Sequence, residues 1–287
     1  MDTSGNENAA SVAAILTSYN RAETTLACLK GLYAQEGLGK DFALEVYLFD
    51  DGSPDGTVAR VAKDFPQVRL QSGDGTNFWN GGMRAAYGRA MGDGYDFYLW
   101  VNDDTHLYPG AIGELLAEYR SIGKADTVMA GNVQDPETGC LSYGGLLSPH
   151  TNKLKNMGRP PVDGAPRSCD TLNGNCVLIP HRVAERAGNL DGIFTHKMGD
   201  MDYGYRCVQA GASLYATGVF VGTCERHGEP DAWRRPGATL KERYRALTGP
   251  KGLPVREWKE FCRRYAGPWW VLYWLAPYVK ALLPSRG

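Results

Sequence analysis

Two short acidic turns carry the densest chemistry in this chain. The run Leu99-Trp100-Val101-Asn102-Asp103-Asp104-Thr105 is apolar and then ends abruptly in two adjacent carboxylates. Strand interiors are depleted in Asp, and neighbouring acids repel unless a positive group sits beside them. A second apolar run, 44–49, ends in Asp50-Asp51-Gly52-Ser53. Open α/β sheets bind ligands just beyond the carboxyl ends of their strands. Acids there can hold a hard divalent cation, which commonly bridges phosphates. Taken singly, each turn also reads as ordinary turn chemistry: an Asp cap before Pro109, or an Asp-Gly-Ser bend. Their occurrence at corresponding strand ends favours a ligand site, because neighbouring strands bring both turns to one sheet edge.

The elements that would position these acids alternate in type. Residues 12–17, 44–49, 68–71 and 95–101 read as buried strands; 24–33, 57–65 and 82–91 read as helices between them. Alternation of this kind implies a mostly parallel sheet with right-handed crossovers. Further on, 109–120 reads as a helix, 127–130 as a strand, 171–179 as one strand, 181–187 as a helix and 212–221 as a β segment. Residues 132–170 are rich in Gly and Pro and only weakly periodic, which suits irregular loops over a binding face.

At 287 residues with 36 Gly, the chain has room for one large α/β domain plus an extension. Net charge is −1, but residues 234–287 hold 12 Lys or Arg against 3 Asp or Glu. The remainder is correspondingly acidic, and a basic tail on an acidic body points to an anionic surface as partner. The seven Cys are scattered without a CxxC pair, so reduced thiols are expected rather than a disulfide framework or zinc ribbon. Residues 1–11 are polar, with no basic apolar leader, so no signal peptide is expected. The segment 268–283 holds Trp269, Trp270 and Trp274 after Arg263-Arg264 and is too short to span a bilayer. Trp and Tyr favour the headgroup boundary, so this segment is expected to lie on a membrane surface. The competing reading is a helix closing the core, and Pro277 is expected to limit any helix there.

Thr17-Ser18-Tyr19-Asn20-Arg21, then Asp50-Asp51-Gly52-Ser53, then Asn102-Asp103-Asp104, in this order and spacing, resemble glycosyltransferase family 2. The resemblance continues through Gly199-Asp200-Met201-Asp202-Tyr203-Gly204-Tyr205-Arg206 to His227. The family has Glu where this chain has Gly199. The resemblance implies an α/β GT-A fold, with a Rossmann-like nucleotide-binding half over 12–105 and an acceptor half over 106–230. A flexible stretch (1–11) precedes it, and a basic, Trp-rich helical extension (231–287) follows.

Carried over residue by residue, the resemblance implies that Thr17 and Tyr19 line a base pocket and that Asp50 hydrogen-bonds the base. Arg21, Asp51 and Asn102 join the donor site. Asp103 contacts the ribose or shares in the metal site, and Asp104 binds Mg2+ or Mn2+ between diphosphate oxygens. Asp200 is the implied general base, and His227 a further metal ligand with His106 as runner-up. Asp202, His196 and Asn173 are placed on the acceptor side. Arg206 either orients Asp200 or is a surface cation, and the acids 200 and 202 are expected just ahead of a helix over 204–210. Thr76-Asn77-Phe78-Trp79-Asn80-Gly81-Gly82 completes the donor candidates: Asn77, Trp79 as an aromatic face, and Gly82 for close backbone approach at a helix start.

The chemistry agrees with those roles. A sugar leaving its nucleoside diphosphate builds negative charge that a divalent ion neutralises, while the attacking hydroxyl must lose a proton to a positioned carboxylate. The expectation is therefore an inverting, metal-dependent transferase using a nucleotide-sugar donor, UDP- or dTDP-linked. The segments around Trp79 and Asp200 most resemble rhamnosyl- and galactofuranosyl-transferase members. The expected acceptor is a glycan or lipid-linked glycan, at the cytoplasmic face of a membrane; no nucleic-acid partner is expected. The rivals are a nucleotidyltransferase, which would carry a Gly-rich loop where this chain has Tyr19-Asn20-Arg21, and a non-catalytic carbohydrate- or membrane-binding scaffold.

Overall fold

The computed structural model describes residues 9–148, 154, 157–226, 232–235 and 237–282. Its first half is β1 (Ala10–Ser18), α1 (Ala22–Tyr33), β2 (Phe42–Asp50), α2 (Thr57–Asp64), β3 (Arg69–Ser72), α3 (Phe78–Asp93) and β4 (Phe97–Val101). There follow β5 (His106–Leu107), α4 (Ala111–Ile122), β6 (Thr127–Gln134), β7 (Leu141–Tyr143), β8 (Gly145–Leu146), β9 (Arg167–Ser168), β10 (Thr171–Leu172) and β11 (Cys176–Pro180). The chain closes with α5 (His181–Ala187), α6 (Gly199–Gln209), β12 (Ser213–Thr223), α7 (Leu240–Thr248), α8 (Val255–Tyr265) and α9 (Trp270–Leu282).

The main sheet has the order β3-β2-β1-β4-β11-β6-β12-β5. Strands β3, β2, β1 and β4 are parallel, as the alternating pattern predicts. Strand β11 runs antiparallel to both β4 and β6. Both faces are covered, and β1 shows how: Val12, Ala14 and Leu16 join a core under α1 and α4, while Ala13 and Ile15 join a second core under α3, α5 and α6. Successive strand side chains point to opposite faces, so a strand buried on both sides reads as a continuous apolar run.

Four boundaries differ from the sequence expectation in ways that shape the site. Helix α3 begins at Phe78 rather than 82, and α6 begins at Gly199 rather than 204. The expected strand 171–179 is two strands broken at Asn173-Gly174-Asn175. A Cβ at Gly174 would lie 2.5 Å from Trp79 Cζ2, so the break is where the backbone makes room for that ring. Finally, α9 continues through Pro277. Proline removes one backbone donor there, but the helix is held on its inner face by packing of Tyr278 and Ala281 beside Trp233 and Leu247.

Helix α8 ties the C-terminal helices to the α6 region. Phe261 and Tyr265 pack with Phe194, Met198 and Tyr205. At the centre of the contact, the fully buried Asp202 side chain accepts from Arg206 Nε (2.8 Å), Arg264 Nη1 (2.7 Å) and the Tyr265 hydroxyl (2.7 Å). Arg264 also reaches Asp191 at 2.7 Å. Removing one partner from a buried ion pair leaves uncompensated charge and costs roughly 3–5 kcal/mol. Asp202→Ala should therefore lower unfolding stability by about that amount in a urea titration. A loss below about 1 kcal/mol would place the docking energy in the aromatic contacts instead.

Candidate active site

Topology collects the candidate residues at one sheet edge. The parallel strands β1, β2 and β4 end there in Tyr19, Asp51 and Asn102; antiparallel β11 begins there, with Cys176 opposite Val101. Asn102 N–H donates to the Asn175 carbonyl at 3.1 Å, joining the acidic turn to the Asn-Gly-Asn break. Strand β12, parallel to β6, delivers Cys224 to the same edge.

The two acids of the β4 turn are held by what surrounds them. Arg21 Nη1 lies 2.7 Å from Asp104 Oδ2 and 3.3 Å from Asp103 Oδ1. Thr25, one helical turn on, donates to Asp103 Oδ2 at 3.3 Å. Burial pushes the Asp103 carboxyl up to about 6, and the Asp104 charge adds to that rise, while Arg21 opposes both. The Cys224 thiol donates to Asp104 Oδ1 at 3.7 Å; burial, reinforced by Asp104, pushes that thiol up to about 12, so it is a neutral donor. Two carboxylates with hard oxygen donors fit Mg2+ or Mn2+, although among the described residues no group of three or more His, Cys, Asp or Glu is arranged to hold a metal ion. Magnesium in particular usually takes one or two carboxylates and completes its shell with substrate phosphate and water.

Asp200 sits in the first turn of α6. Its Oδ2 accepts from Gly174 N–H at 3.0 Å and its Oδ1 from Met201 N–H at 2.8 Å. Burial raises its pKa above the ordinary carboxylate value, against the pull of those backbone donors and of Asn173. Trp79 spans the two halves: its Nε1–H donates to Asn102 Oδ1 at 2.7 Å, and its benzo ring lies against Gly174. The expected Glu at 199 has no room, since a Cβ on Gly199 would stand 1.8 Å from Asn80 Oδ1.

Three non-glycine residues adopt the left-handed backbone region among the described residues: Asn20 at φ +53°, Phe78 at +53° and Met198 at +73°. Each immediately adjoins a candidate segment. Such conformations are costly for bulky residues and persist only where surroundings over-determine them, commonly at functional sites. For Phe78 the determinant is Asp51, which accepts Phe78 N–H at 2.8 Å, Asn77 N–H at 3.2 Å, Asn77 Nδ2 at 2.9 Å and Gly75 N–H at 3.1 Å. Asp51 and Asn77 thus build the loop before α3.

Several expected contacts fall elsewhere. Asp50 is completely buried and accepts from Ser53 N–H (2.8 Å), the Ser53 hydroxyl (2.5 Å) and the Ser18 hydroxyl (3.2 Å), so a base can reach it only if Ser53 turns away. Gly82 lies in the second turn of α3, not at a helix start. A Cβ there would stand 2.1 Å from Thr17 Oγ1, so its smallness serves α3–β1 packing, and Thr17 is buried beneath it. Tyr19, by contrast, is 53% exposed at the strand tip. Asp202, expected on the acceptor side, is fully buried in the α8 contact. Arg206 pairs with Asp202 and bonds the Ala187 and Asn189 carbonyls, neither orienting Asp200 nor standing free. His196 packs edge-on against Phe78 at 6.2 Å, and burial beside Lys251, Lys197 and Arg21 drives its pKa down to about 4, so it is neutral. His106 is exposed on β5, opposite Thr223. His227 lies outside the described residues.

Asn173 accepts from Arg159 Nη2 at 3.2 Å, a contact the sequence did not suggest. Thr25 and Cys224 were equally unforeseen. Thr25 carried a signal, its spacing of four from Arg21 across the start of α1. Arg159 lies in the aperiodic stretch and carried none.

Hyaluronan synthases of Streptococcus pyogenes share part of this sequence. One from serotype M3 is 28% identical over 181 residues, covering 61% of this chain and 40% of the synthase. Another is 28% identical over 174 residues, covering 58% and 38%. The chain thus spans less than half the length of these relatives. Among solved structures, the mannosyltransferase PcManGT from Pyrobaculum calidifontis, in complex with GDP-Man and Mn2+, aligns with a TM-score of 0.52 over 95% of this chain and 70% of that one. At 16% identity this likeness speaks for the fold, a GT-A-like mixed sheet flanked by helices. Residues 13–156, half of the chain, match the glycosyl transferase family 2 model across both acidic turns and the Trp79 loop, and the chain belongs to glycosyl transferase family 2.

Proposed function

We propose that this chain transfers a sugar, with inversion and with Mg2+ or Mn2+, from a UDP- or dTDP-linked donor to a hydroxyl of a glycan or lipid-linked glycan. The observation that carries the reading is the placement of Asp200. It is a half-buried carboxylate with a raised pKa, fixed by two backbone donors and linked through Gly174 and Trp79 to the acidic turn. The Mn2+ and GDP-Man in the mannosyltransferase complex support a metal-assisted donor site.

On this reading Asp103 and Asp104 would hold the cation, and Arg21, half exposed beside them, would meet the donor diphosphate. The bound ion would act as a Lewis acid, neutralising charge on the departing nucleoside diphosphate. Tyr19 offers its exposed ring to the base, and Trp79 walls the sugar. Asp200 takes the proton of the attacking hydroxyl, its raised pKa suiting it to do so near neutral pH. The other α6 carboxylate, Asp202, is enclosed by Arg206, Arg264 and Tyr265. With no second free carboxylate beside Asp200 on α6 to form a covalent intermediate, a single displacement with inversion is favoured. The same geometry favours transfer over a scaffold role, which would not need a base held this way.

The C-terminal extension supports peripheral attachment at the cytoplasmic face of a membrane. Among the described residues no helix is long and apolar enough to cross a bilayer. On α9 and the turn before it, Trp269, Leu272, Leu275, Val279 and Leu282 form one exposed stripe at helical spacing, Leu272 being 61% exposed. The opposite side docks inward: Tyr278 donates to the Leu253 carbonyl at 2.8 Å, and Ala281 is buried. An apolar stripe in a strongly basic segment matches an anionic headgroup surface.

Asp200→Asn should leave nucleotide-sugar binding intact while reducing transfer by ~10²–10⁴-fold. In the parent enzyme, kcat/KM should fall as pH drops through a value above the ordinary carboxylate range, because the base must be ionised and its pKa is raised. Unchanged transfer in the variant would remove Asp200 from the base role. Asp104→Ala should abolish the chelator-sensitive part of donor binding in calorimetry with UDP-, GDP- and dTDP-sugars; retention of it would move the metal elsewhere. Replacing Leu272 and Leu275 by Glu should stop flotation with phosphatidylglycerol-containing vesicles while nucleotide binding persists. Continued flotation would exclude this stripe as the membrane contact.

A further inference from the structure

Arg159 is unusual for a partly buried arginine. It follows Gly158, which is pinned by reciprocal 2.9 Å backbone hydrogen bonds to Leu147, so the side chain is delivered from a fixed backbone. One guanidinium nitrogen, Nη2, donates to Asn173 Oδ1, while Nη1 is buried with no hydrogen-bond partner. Among the described residues no carboxylate pairs with it. Burial lowers the Arg159 pKa, and a second cation, Arg226, acts on it in the same direction. Arg226 is exposed and is anchored through its backbone N–H to Asp135 Oδ2 at 3.1 Å. Guanidinium cannot shed its proton in a protein, and a desolvated cation without a counter-charge is costly. Two arginines whose charges act on each other in this way are what an anion would neutralise, through the forked contacts that arginine makes with phosphate, sulfate or carboxylate.

The position decides which substrate brings that anion. Asn173 directly precedes Gly174, whose N–H holds Asp200 Oδ2, so Arg159 stands one side chain away from the proposed base. The donor diphosphate has its own cationic partner in Arg21, at the acidic turn. We propose that Arg159 and Arg226 form an anion-binding subsite on the acceptor side of Asp200, and that the acceptor carries a phosphate, sulfate or carboxylate group close to the attacking hydroxyl. This rests on the transferase reading given above and narrows its acceptor to an anionic one.

Sulfate is a suitable probe because it does not precipitate Mg2+. It would be titrated calorimetrically, at ionic strength held constant with NaCl, into the full chain saturated with Mg2+ and UDP, or with GDP or dTDP if one of those binds instead. Arg159→Gln and Arg226→Gln would be titrated alongside. The expected result is saturable sulfate binding with the nucleotide still in place, weakened about tenfold or more in each variant, with nucleotide affinity within about twofold of the parent. Arg226 is exposed, so its variant decides the matter even if Arg159→Gln does not fold. Sulfate that competes with the nucleotide, together with weaker nucleotide binding in Arg159→Gln, would assign the pair to the donor diphosphate and overturn the proposal. Absence of sulfate binding, or binding indifferent to both substitutions, would overturn it as well. Failure of every nucleotide to bind would sink the donor reading, yet the sulfate titrations would still report on the two arginines.

Discussion

The hydrogen bond from Asn102 N–H to the Asn175 carbonyl, 3.1 Å long, is the constraint on which the rest of the site depends. It continues the antiparallel register that places Cys176 opposite Val101. A strand inserted antiparallel among parallel ones brings its start, not its end, to their carboxyl edge. The acidic turn after β4 and the Asn-Gly-Asn break before β11 therefore face each other, although some 70 positions separate them in sequence. A slip of one residue would turn every β11 side chain to the opposite face and would carry Gly174 away from both Trp79 and Asp200. Burial of β11 on both faces, with Val177 and Ile179 in one core and Cys176 and Leu178 in the other, makes such a slip expensive.

Around that register the protein holds groups that would otherwise repel or relax. Asp103 and Asp104 share Arg21, and the remaining oxygens are met by Thr25 and the Cys224 thiol. Burial keeps the Asp103 carboxyl above its ordinary value even with Arg21 beside it. Strain is distributed in the same region. Asn20, Phe78 and Met198 each take a left-handed backbone, and Asp51 commits its carboxylate to four donors of the loop ending at Phe78. Electrostatic preorganisation of this kind is set during folding and need not be assembled at the moment of reaction.

Much of this was legible in the sequence because it is local. Apolar runs ending in Asp50 and Asp103 located two strand ends, and alternation with helices implied parallel neighbours. What local pattern could not supply was the partner of each polar group. Asp50 and Asp51 are adjacent acids of one turn, yet the first bonds Ser18 and Ser53 while the second organises residues 75–78. Gly82 looked suited to ligand approach, but the space it leaves is filled by Thr17 and Phe49. Gly199 departs from the family's Glu because Asn80, distant in sequence, occupies the place a side chain would need. Pro277 was expected to limit a helix that tertiary packing sustains. Arg159 arrives on an aperiodic loop, where neither hydrophobic period nor turn signal marks it.

The two carboxylates of α6 show how completely environment separates residues of one type. Asp200 and Asp202 are two positions apart, about 200° around the helix axis, so they must face different surroundings. Asp202 points toward α8 and is surrounded by two guanidinium groups and a phenol, which stabilise its charge and dock the C-terminal helices. Asp200 points toward the sheet edge and is met by backbone N–H groups and by Asn173, and burial raises its pKa. One of these acids is spent on structure, while the other keeps a raised pKa at the candidate site. Because Asp202 anchors Arg264, the arginine that ties α8 to this helix, the first turn carrying Asp200 is fixed by the same contact that fastens the C-terminal helices. Position of the proposed base and attachment of the C-terminal helices are thus coupled through a single turn of α6.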